Sequence, residues 1–180
     1  MDKDPDQLLV ARHRSGDPAA FPELVARYQR PIYNAAFRVL GNAEDAADIA
    51  QDVFMRISQR LDEYDDTHKF FSWIYRIALN QAINLARRNW REEPLGDEDE
   101  LAAGAASDPE RSAQLAELSV RVQGALMKLR VDDRAVLALR HFSELSYREI
   151  ADVLTIDEKT VKSRLFEARL RMRELLREYH

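Results

Sequence analysis

Basic, hydroxyl and aromatic side chains near the C-terminal end of the chain recur at a spacing that would group them on one helix face. Val161, Leu165 and Ala168 are separated by steps of four and three, which predicts an amphipathic helix with a buried stripe. The residues that fall mostly off that stripe are Lys159, Lys162, Ser163, Arg164, Phe166 and Arg169. An exposed helix face of this kind can contact base edges in the DNA major groove.

The segment before this helix is predicted to be a second, shorter helix that positions it. Ser146 and Glu149 have the S-x-x-E spacing of a capping box, so a helix is expected from about Tyr147 to Leu154. Asp157 follows a short turn and can cap the basic helix through its side-chain oxygen. This arrangement is typical of a helix-turn-helix, although an ordinary helical hairpin with a solvated basic face would show the same pattern.

A second stretch with polar chemistry spans residues 69–91, which contain no acid. Its cationic and amide side chains include Lys69, Arg76, Asn80, Asn84, Arg87, Arg88 and Arg91. Aromatic residues beside such a face can act as stacking platforms, which is what a protein that binds single-stranded nucleic acid needs. Trp73 fits such a platform and the hydrophobic core equally well.

Composition restricts the fold and the function of this 180-residue chain. A hydrophobic content of 46% with only 5 Gly and 6 Pro favours packed helices over a turn-rich β fold. The absence of cysteine excludes disulfides, thiolate zinc sites and cysteine nucleophiles. No apolar run approaches the length of a membrane span and the N-terminus does not resemble a signal peptide, so we expect a soluble, cytoplasmic protein.

The net charge of −5 is strongly segregated along the chain. Acids dominate residues 44–66, and residues 92–110 contain no Lys or Arg. We therefore expect an all-α fold of two small helical domains, at residues 1–90 and 112–180, joined by a flexible acidic linker at 91–111. Within the first domain, Pro31 is expected to begin a new helical segment, and residues 62–68 form a polar loop after a helix at 43–61.

No motif points to catalysis. Phosphate-binding glycine loops and nucleophile elbows are missing, and the four histidines are scattered without metal-ligand spacing. Neither a metal nor another cofactor is expected. The sequence predicts a binding protein rather than an enzyme.

Four blocks, in order, resemble the bacterial extracytoplasmic-function (ECF, group IV) sigma factors of the sigma-70 family. The blocks are GDPAAFPELVARYQRPIYNAAFRVLGN (16–42), AEDAADIAQDVFMRI (43–57), FFSWIYRIALNQAINLARR (70–88) and LALRHFSELSYREIADVLTIDEKTVKSRLFEARLRMRELL (137–176). The resemblance covers nearly the whole chain. It implies a subunit that binds core RNA polymerase and directs transcription initiation at specific promoters, in a stress or envelope response.

The resemblance also implies roles for residues. The first domain would hold the sigma region 2 helices, whose acidic helix docks on the clamp-helix coiled coil of the largest polymerase subunit; the docking residues would be Asp45, Asp48, Gln51, Asp52 and Arg56. The promoter −10 element would be read and melted by Tyr64, Lys69, Trp73, Arg76, Asn80, Asn84, Arg87 and Arg88. The loop at 62–69 would help to form a pocket for a base flipped out of the duplex.

The second domain would hold the sigma region 4 helix-turn-helix, dock on the flap of the other large subunit and read the −35 element. Its expected contacts are Arg148, Lys159, Thr160, Lys162, Ser163, Arg164, Phe166, Glu167 and Arg169. The resemblance further implies an anti-sigma factor, often membrane-anchored, and a monomer outside the complex. The alternatives are a stand-alone helix-turn-helix regulator that binds duplex DNA without polymerase, and an adaptor that keeps the fold without reading DNA.

Several positions depart from the family pattern, among them Asp157, where a proline is common, and Leu129-Arg130, which replaces a frequent Leu-Pro. Thr155 stands where a glycine is common, and we expect a slightly different turn in which Thr155 avoids a positive φ. Glu167 stands where relatives often carry a basic residue, and its carboxylate could accept a hydrogen bond from cytosine N4.

Overall fold

The computed structural model describes residues 4–92 and 109–177, and the side chains of 91, 92 and 109–115 are not described. Most of the predicted linker, residues 93–108, lies outside the described part of the chain. Within the described part, every regular element is helical. The helices are α1 (Pro5–Arg14), α2 (Ala20–Leu40), α3 (Ala43–Arg60), a 3-10 turn (Leu61–Glu63), α4 (Phe70–Glu92), α5 (Pro109–Met127), α6 (Val131–His141), α7 (Tyr147–Leu154) and α8 (Glu158–Arg177). The predicted all-α fold is confirmed.

Helix α2 is continuous through Pro31, so the expectation that Pro31 begins a separate segment was wrong. A proline inside a helix removes one hydrogen bond and costs about 3 kcal/mol. Here Tyr28, three residues before Pro31, and Ile32, directly after it, are buried, and α3 and α4 pack along α2. Burial of these side chains offsets the cost, because packing stabilises helices in proteins more than intrinsic propensity does.

Gly41 ends α2 and allows α3 to begin at once. It adopts a left-handed conformation with a φ of 76° and donates its N–H to the carbonyl of Phe37. The left-handed backbone favours glycine, and a Cβ atom at this position would also come within 2.7 Å of Met127 Sδ, so the flexible Met127 side chain would have to shift. Asn42 then caps α3 by accepting a hydrogen bond from the N–H of Asp45.

The helix-turn-helix forms as the sequence predicts, apart from the turn. Ser146 Oγ accepts from the N–H of Glu149 and the Glu149 carboxylate accepts from the N–H of Ser146, which completes the capping box of α7. Asp157 Oδ1 accepts from the N–H of Thr160 at 2.6 Å and caps α8. Thr155 has a φ of 56°, so the expectation that it avoids positive φ was wrong. The N–H of Ile156 bonds to the carbonyl of Ala151 at 3.1 Å, and this helix-ending bond requires the left-handed conformation of Thr155.

The N-terminal half (α1–α4) and the C-terminal half (α5–α8) pack directly against each other. Arg134 of α6 is 5% exposed and donates to the carbonyls of Val39, Met127 and Leu129. Burial lowers the pKa of the Arg134 guanidinium to about 10, and the three carbonyls satisfy part of its hydrogen-bonding capacity. Arg134 therefore links the C-terminal end of α2 to the turn between α5 and α6.

Gln123 of α5 adds a second buried link between the halves. Its Nε2 donates to the carbonyls of Phe37, at 3.2 Å, and Arg38, at 3.4 Å, while its Oε1 accepts from Arg38 Nη1 at 3.0 Å. The carbonyls at the end of α2 thus receive donors from the other half of the chain. None of the described helices is both long enough and apolar enough to span a bilayer.

Candidate nucleic-acid and partner interfaces

The outward face of α3 presents the residues that the sequence predicts to dock on a partner. Asp48, Gln51, Asp52 and Arg56 are exposed, and Asp45 is half-buried next to the N-cap. They share this face because the opposite face of α3 packs in the core. Asp48, Asp52 and Arg56 make no ion pair with any residue in the described part of the chain. Their charges are therefore free to meet a partner.

A shallow groove of about 450 Å³ lies beside this face, between α2 and α3. Its lining includes Val25, Phe54 and Met55, and the Met55 side chain is 53% exposed. Gln51 belongs both to the groove and to the docking face. An apolar groove with an acidic rim suits a partner that presents apolar and cationic side chains together.

The loop between α3 and α4 is anchored by aromatic side chains. Tyr64 is 4% exposed, its ring lies 5.4 Å from those of Phe70 and Trp73, and its hydroxyl donates to the carbonyl of His68. Burial raises the pKa of Tyr64 to about 12, so the hydroxyl remains a donor at neutral pH. Tyr64 was predicted to face DNA but lies in the core. Trp73 is half-buried on the same cluster.

Three of the basic residues predicted to contact the −10 element bond instead to the C-terminal half. The contacts are Lys69 Nζ to Glu149 Oε1 at 2.9 Å, Arg76 Nη2 to the Asp152 carbonyl at 2.7 Å, and Arg87 Nη2 to Asp132 Oδ1 at 2.8 Å. The Glu149 carboxylate is partly buried, which disfavours its charge, but hydrogen bonds from Lys69 and Ser146 outweigh burial and lower its pKa to about 2. In this arrangement these cations face carboxylate and carbonyl oxygens of the same chain.

Asn80 and Asn84 line a cleft of about 200 Å³ between α4 and the C-terminal half. Asp132 lies at its edge and is shared by two cations, Arg87 at 2.8 Å and Arg164 at 3.9 Å. One carboxylate thus approaches an arginine predicted for the −10 element and an arginine predicted for the −35 element. Arg88 remains exposed outside this cleft.

The centre of the predicted recognition face of α8 is exposed to solvent. Its buried stripe is Val161, Leu165, Ala168 and Leu175. The exposed residues of the predicted −35 set on α8 are Lys159, Lys162, Ser163, Phe166, Glu167 and Arg169. The Phe166 side chain is 68% exposed, which is unusual for a large aromatic residue and is consistent with a surface that meets a ligand.

The remaining residues of the predicted −35 set are placed differently. Thr160 is half-buried, and its hydroxyl donates to the capping Asp157 at 3.0 Å. Arg169 Nε lies 3.3 Å from His141 Nε2, and Arg148 is exposed at the start of α7. Arg164 is half-buried and directed toward Asp132 rather than outward. Most of the predicted −35 residues are therefore exposed to solvent, whereas Thr160 and Arg164 are half-buried.

Sequence reasoning missed the residues that bring the two halves together, chiefly Asp132, Arg134 and Gln123. Arg134 could have been noticed because it precedes five consecutive buried residues, Ala135–Leu139, and a charged side chain within such a run needs partners. Asp132 and Gln123 carry no comparable signal. Among the described residues, no cluster of three or more His, Asp or Glu could hold a metal ion.

The fold and these surfaces define an all-α DNA-binding protein of two helical halves, one of which contains a helix-turn-helix. Two family profiles match it: Sigma-70 region 2 over residues 24–92, and Sigma-70, region 4, over residues 119–172. The chain is 35% identical to the ECF RNA polymerase sigma factor SigW of Bacillus subtilis, over 94% of this chain and 95% of SigW. The chain belongs to the sigma-70 family of RNA polymerase sigma factors, in the extracytoplasmic-function (ECF) group.

Solved structures show the same arrangement of helices. The structure of CnrH in complex with the cytosolic domain of CnrY matches with a TM-score of 0.74 and 29% identity, covering 97% of this chain and 99% of that one. The sigma factor RpoE in complex with the anti-sigma factor NepR, from Bartonella quintana, shares the fold with a TM-score of 0.69 at 22% identity, over 87% of this chain and 96% of that one. Family membership favours a sigma factor over the stand-alone regulator considered from sequence.

Proposed function

We propose that this protein binds core RNA polymerase and directs it to promoters in a stress or envelope response, without catalysis of its own. The observation that carries the proposal is that one chain contains both an outward recognition helix, α8, and a second polar helix, α4. Helix α4 lies within the match to Sigma-70 region 2, and most of α8 lies within the match to region 4. A stand-alone helix-turn-helix regulator would not need the second polar helix, α4. In this role α8 reads the −35 element, and α4 with the loop before it reads and melts the −10 element.

The docking face of α3 binds the largest polymerase subunit. Asp48, Asp52 and Arg56 are exposed and unpaired within the described residues, and the apolar groove beside them adds contact area. The C-terminal half contacts the other large subunit. The polymerase thereby holds both DNA-reading helices near the promoter, which raises their effective concentration and allows each to bind DNA weakly alone.

The packed arrangement of the two halves is the form in which the protein exists away from promoter DNA. Lys69, Arg76 and Arg87 engage the C-terminal half and cannot contact phosphates at the same time. Binding to polymerase therefore has to separate the halves before α4 can read the −10 element. The exposed contacts at this interface are individually weak, since surface ion pairs contribute about 0–1 kcal/mol each. The buried links of Arg134 and Gln123 cost more to break, so contacts with polymerase have to compensate for their loss.

A regulatory partner that covers the docking face completes this proposal. CnrH, the similar structure, is bound to the cytosolic domain of CnrY, and an anti-sigma factor on this chain would compete with polymerase for α3 and its groove. Such a factor could be membrane-anchored, with this chain remaining in the cytoplasm. Outside these complexes we propose a monomer that needs no cofactor.

Reconstitution with core RNA polymerase tests the proposal. Run-off transcription on genomic fragments should give transcripts from defined start sites only when the chain is added. In parallel, the chain alone should not shift duplex promoter DNA at physiological salt, because its cations at α4 are occupied and α8 by itself binds DNA only weakly. A strong shift by the chain alone, without polymerase-dependent transcripts, would instead support a stand-alone regulator.

A further inference from the structure

Arg14, the last residue of α1, holds the loop between α3 and α4. Its Nη2 donates to the carbonyls of Tyr64 at 2.6 Å, Leu61 at 3.2 Å and Asp62 at 3.4 Å. Its Nη1 lies 3.1 Å from both carboxylate oxygens of Asp66. One planar guanidinium thus bonds to four of the six residues from 61 to 66, and an arginine fork suits several fixed acceptors better than a lysine does.

Helix α1 is a firm base for this contact. Leu9 and Val10 are buried, and Asp6, 6% exposed, accepts hydrogen bonds from Arg27 and from the Tyr28 hydroxyl of α2. Gln7, about two turns earlier on the same face of α1, adds a bond from its Nε2 to the Asp66 carbonyl at 2.8 Å. Two side chains of α1 therefore converge on the same short loop from a helix that is itself fixed to α2.

The loop presents a polar outer surface while its inner side is anchored. Residues 65–69 are exposed, whereas Tyr64 is buried beneath them and donates its hydroxyl to the His68 carbonyl. The Asp65 carboxylate accepts from the N–H of Thr67 at 2.9 Å, which tightens the outer turn. These internal bonds shape the tip. Arg60 at the end of α3 pairs with the exposed Glu63 side chain, whereas the contacts from α1 reach the backbone carbonyls of the loop's first residues and fix them to the rest of the domain.

We propose that Arg14 is a positioning residue for −10 recognition: it sets the conformation of the loop that accepts the flipped −10 base. The inference rests on the function proposed above, since it assumes that this loop meets promoter DNA. Arg14 acts through the loop backbone, with its guanidinium under the loop and engaged there. Removal of the Arg14 side chain should therefore reduce the preference for one base over the others at the −10 element, because a loop that is free to move accepts different bases more equally.

A matched control comes from the same helix. Arg12 is also an exposed arginine of α1 with two carboxylate partners, Asp17 and Glu23, but both lie at the α1–α2 connection and neither belongs to the loop. Arg12→Gln therefore removes a comparable charge and comparable ion pairs without touching residues 61–66. An effect that arises from a loosened α1, rather than from the loop, should appear in both variants.

The experiment is run-off transcription by core polymerase with the full chain on two promoter libraries, one randomised at the −10 element and one at the −35 element. For Arg14→Gln we expect the preference for the best −10 base over its competitors to fall about tenfold, which corresponds to about 1.4 kcal/mol. The −35 preference and polymerase affinity should be unchanged. Arg14→Lys, which keeps a charge near Asp66 but cannot serve all the carbonyls, should lose about threefold.

The outcomes separate this inference from the function on which it rests. If Arg14→Gln lowers the melting temperature but leaves the −10 preference at the wild-type value, Arg14 only stabilises the fold and the inference is wrong. Equal changes in Arg12→Gln, or equal changes at both promoter elements, overturn it as well. If the wild-type chain gives no promoter-specific transcripts, the proposed function fails, and the inference fails with it. Should Arg14→Gln not fold, the Arg14→Lys profile decides by the same criteria.

Discussion

Lys69 Nζ lies 2.9 Å from Glu149 Oε1, so a cation predicted for −10 DNA is paired with the residue that completes the capping box of α7. The contact joins residues that are 80 positions apart and belong to different halves of the chain. The closed arrangement and the proposed DNA-reading surface therefore share the Lys69 side chain.

The coupling between these two residues is measurable by a double-mutant cycle. Glu149→Gln keeps a capping residue, since glutamine also serves at this position, and Lys69→Met removes the charge. With side chains 58% and 24% exposed, the pair should contribute about 0.5 kcal/mol to the free energy of unfolding in urea. Because the pKa of Glu149 is lowered, the contribution is constant at neutral pH and is lost as the pH falls below the ordinary glutamate pKa toward about 2. A coupling no larger than that of Lys69→Met with the distant Glu174→Gln would refute the ion pair.

Arg134→Met should destabilise the protein strongly. The substitution leaves the carbonyls of Val39, Met127 and Leu129 without their donor, and removing one partner from such a buried charged network costs about 3 kcal/mol. Thermal and urea unfolding measure the loss. Arg130→Met, at an exposed position four residues earlier, is the control and should change stability by less than about 0.5 kcal/mol. A loss below about 1 kcal/mol for Arg134→Met would mean that this contact does not hold the halves together.

Two glycines should respond to alanine in opposite directions. Gly41→Ala forces a Cβ into a left-handed residue and against Met127, and we expect a loss of about 1–2 kcal/mol. Gly124→Ala lies inside α5, where a Cβ meets nothing within 4 Å, and should stabilise by about 0.5–1 kcal/mol. Equilibrium unfolding of both variants tests the helix end and the α2–α5 contact together. An equal response at the two positions is the contrary result.

The double substitution Asp48→Lys with Asp52→Lys should abolish binding to core polymerase while leaving the fold intact. Both carboxylates are exposed on α3 and unpaired within the described residues, so their reversal opposes only an external partner. Copurification with polymerase and circular dichroism are the two measurements. Glu117→Lys, an exposed acid on α5, is the control and should bind normally. Specific transcription by the double variant would place the docking face elsewhere.

Glu167→Gln should relax the −35 preference at one position. A carboxylate in the major groove accepts from cytosine N4, and the loss of one such base contact costs about 1–3 kcal/mol of discrimination. Glu167 is exposed on α8 beside Phe166. Transcription from a library randomised at the −35 element gives the preference, with Glu174→Gln at the far end of α8 as the control. If both variants keep the wild-type preference, Glu167 does not contact a base.

Local features of this fold could be predicted from the sequence, and features that depend on distant contacts could not. The bounds of α7 follow from Ser146 and Glu149, because a capping box involves residues only three apart. Pro31 was misjudged because its tolerance depends on α3 and α4 packing around α2, and Thr155 because the helix-ending bond outweighs the cost of its positive φ.

In the candidate site too, local features could be predicted from the sequence and features that depend on distant contacts could not. The outward face of α8 follows from helical periodicity, and Lys159, Lys162 and Phe166 are exposed as expected. The covering of α4 depends on contacts between residues 45 to 80 positions apart, and periodicity carries no information about them. The burial of Tyr64 could not be predicted for a related reason, since the position of its ring results from the fold of the loop around Phe70 and Trp73.

Locking the halves together tests the central claim most directly. The chain contains no cysteine, so Arg76→Cys with Asp152→Cys places the only two thiols at residues that contact each other across the closed interface and leaves the capping box of α7 in place. A short, reducible reagent that bridges two thiols then gives locked and released forms of the same variant for run-off transcription with core polymerase. We predict promoter-specific transcripts from the released form and none from the locked form. Equal transcription by both forms would contradict the proposed opening, and no specific transcription by the released form or by the wild-type chain would contradict the proposed function itself.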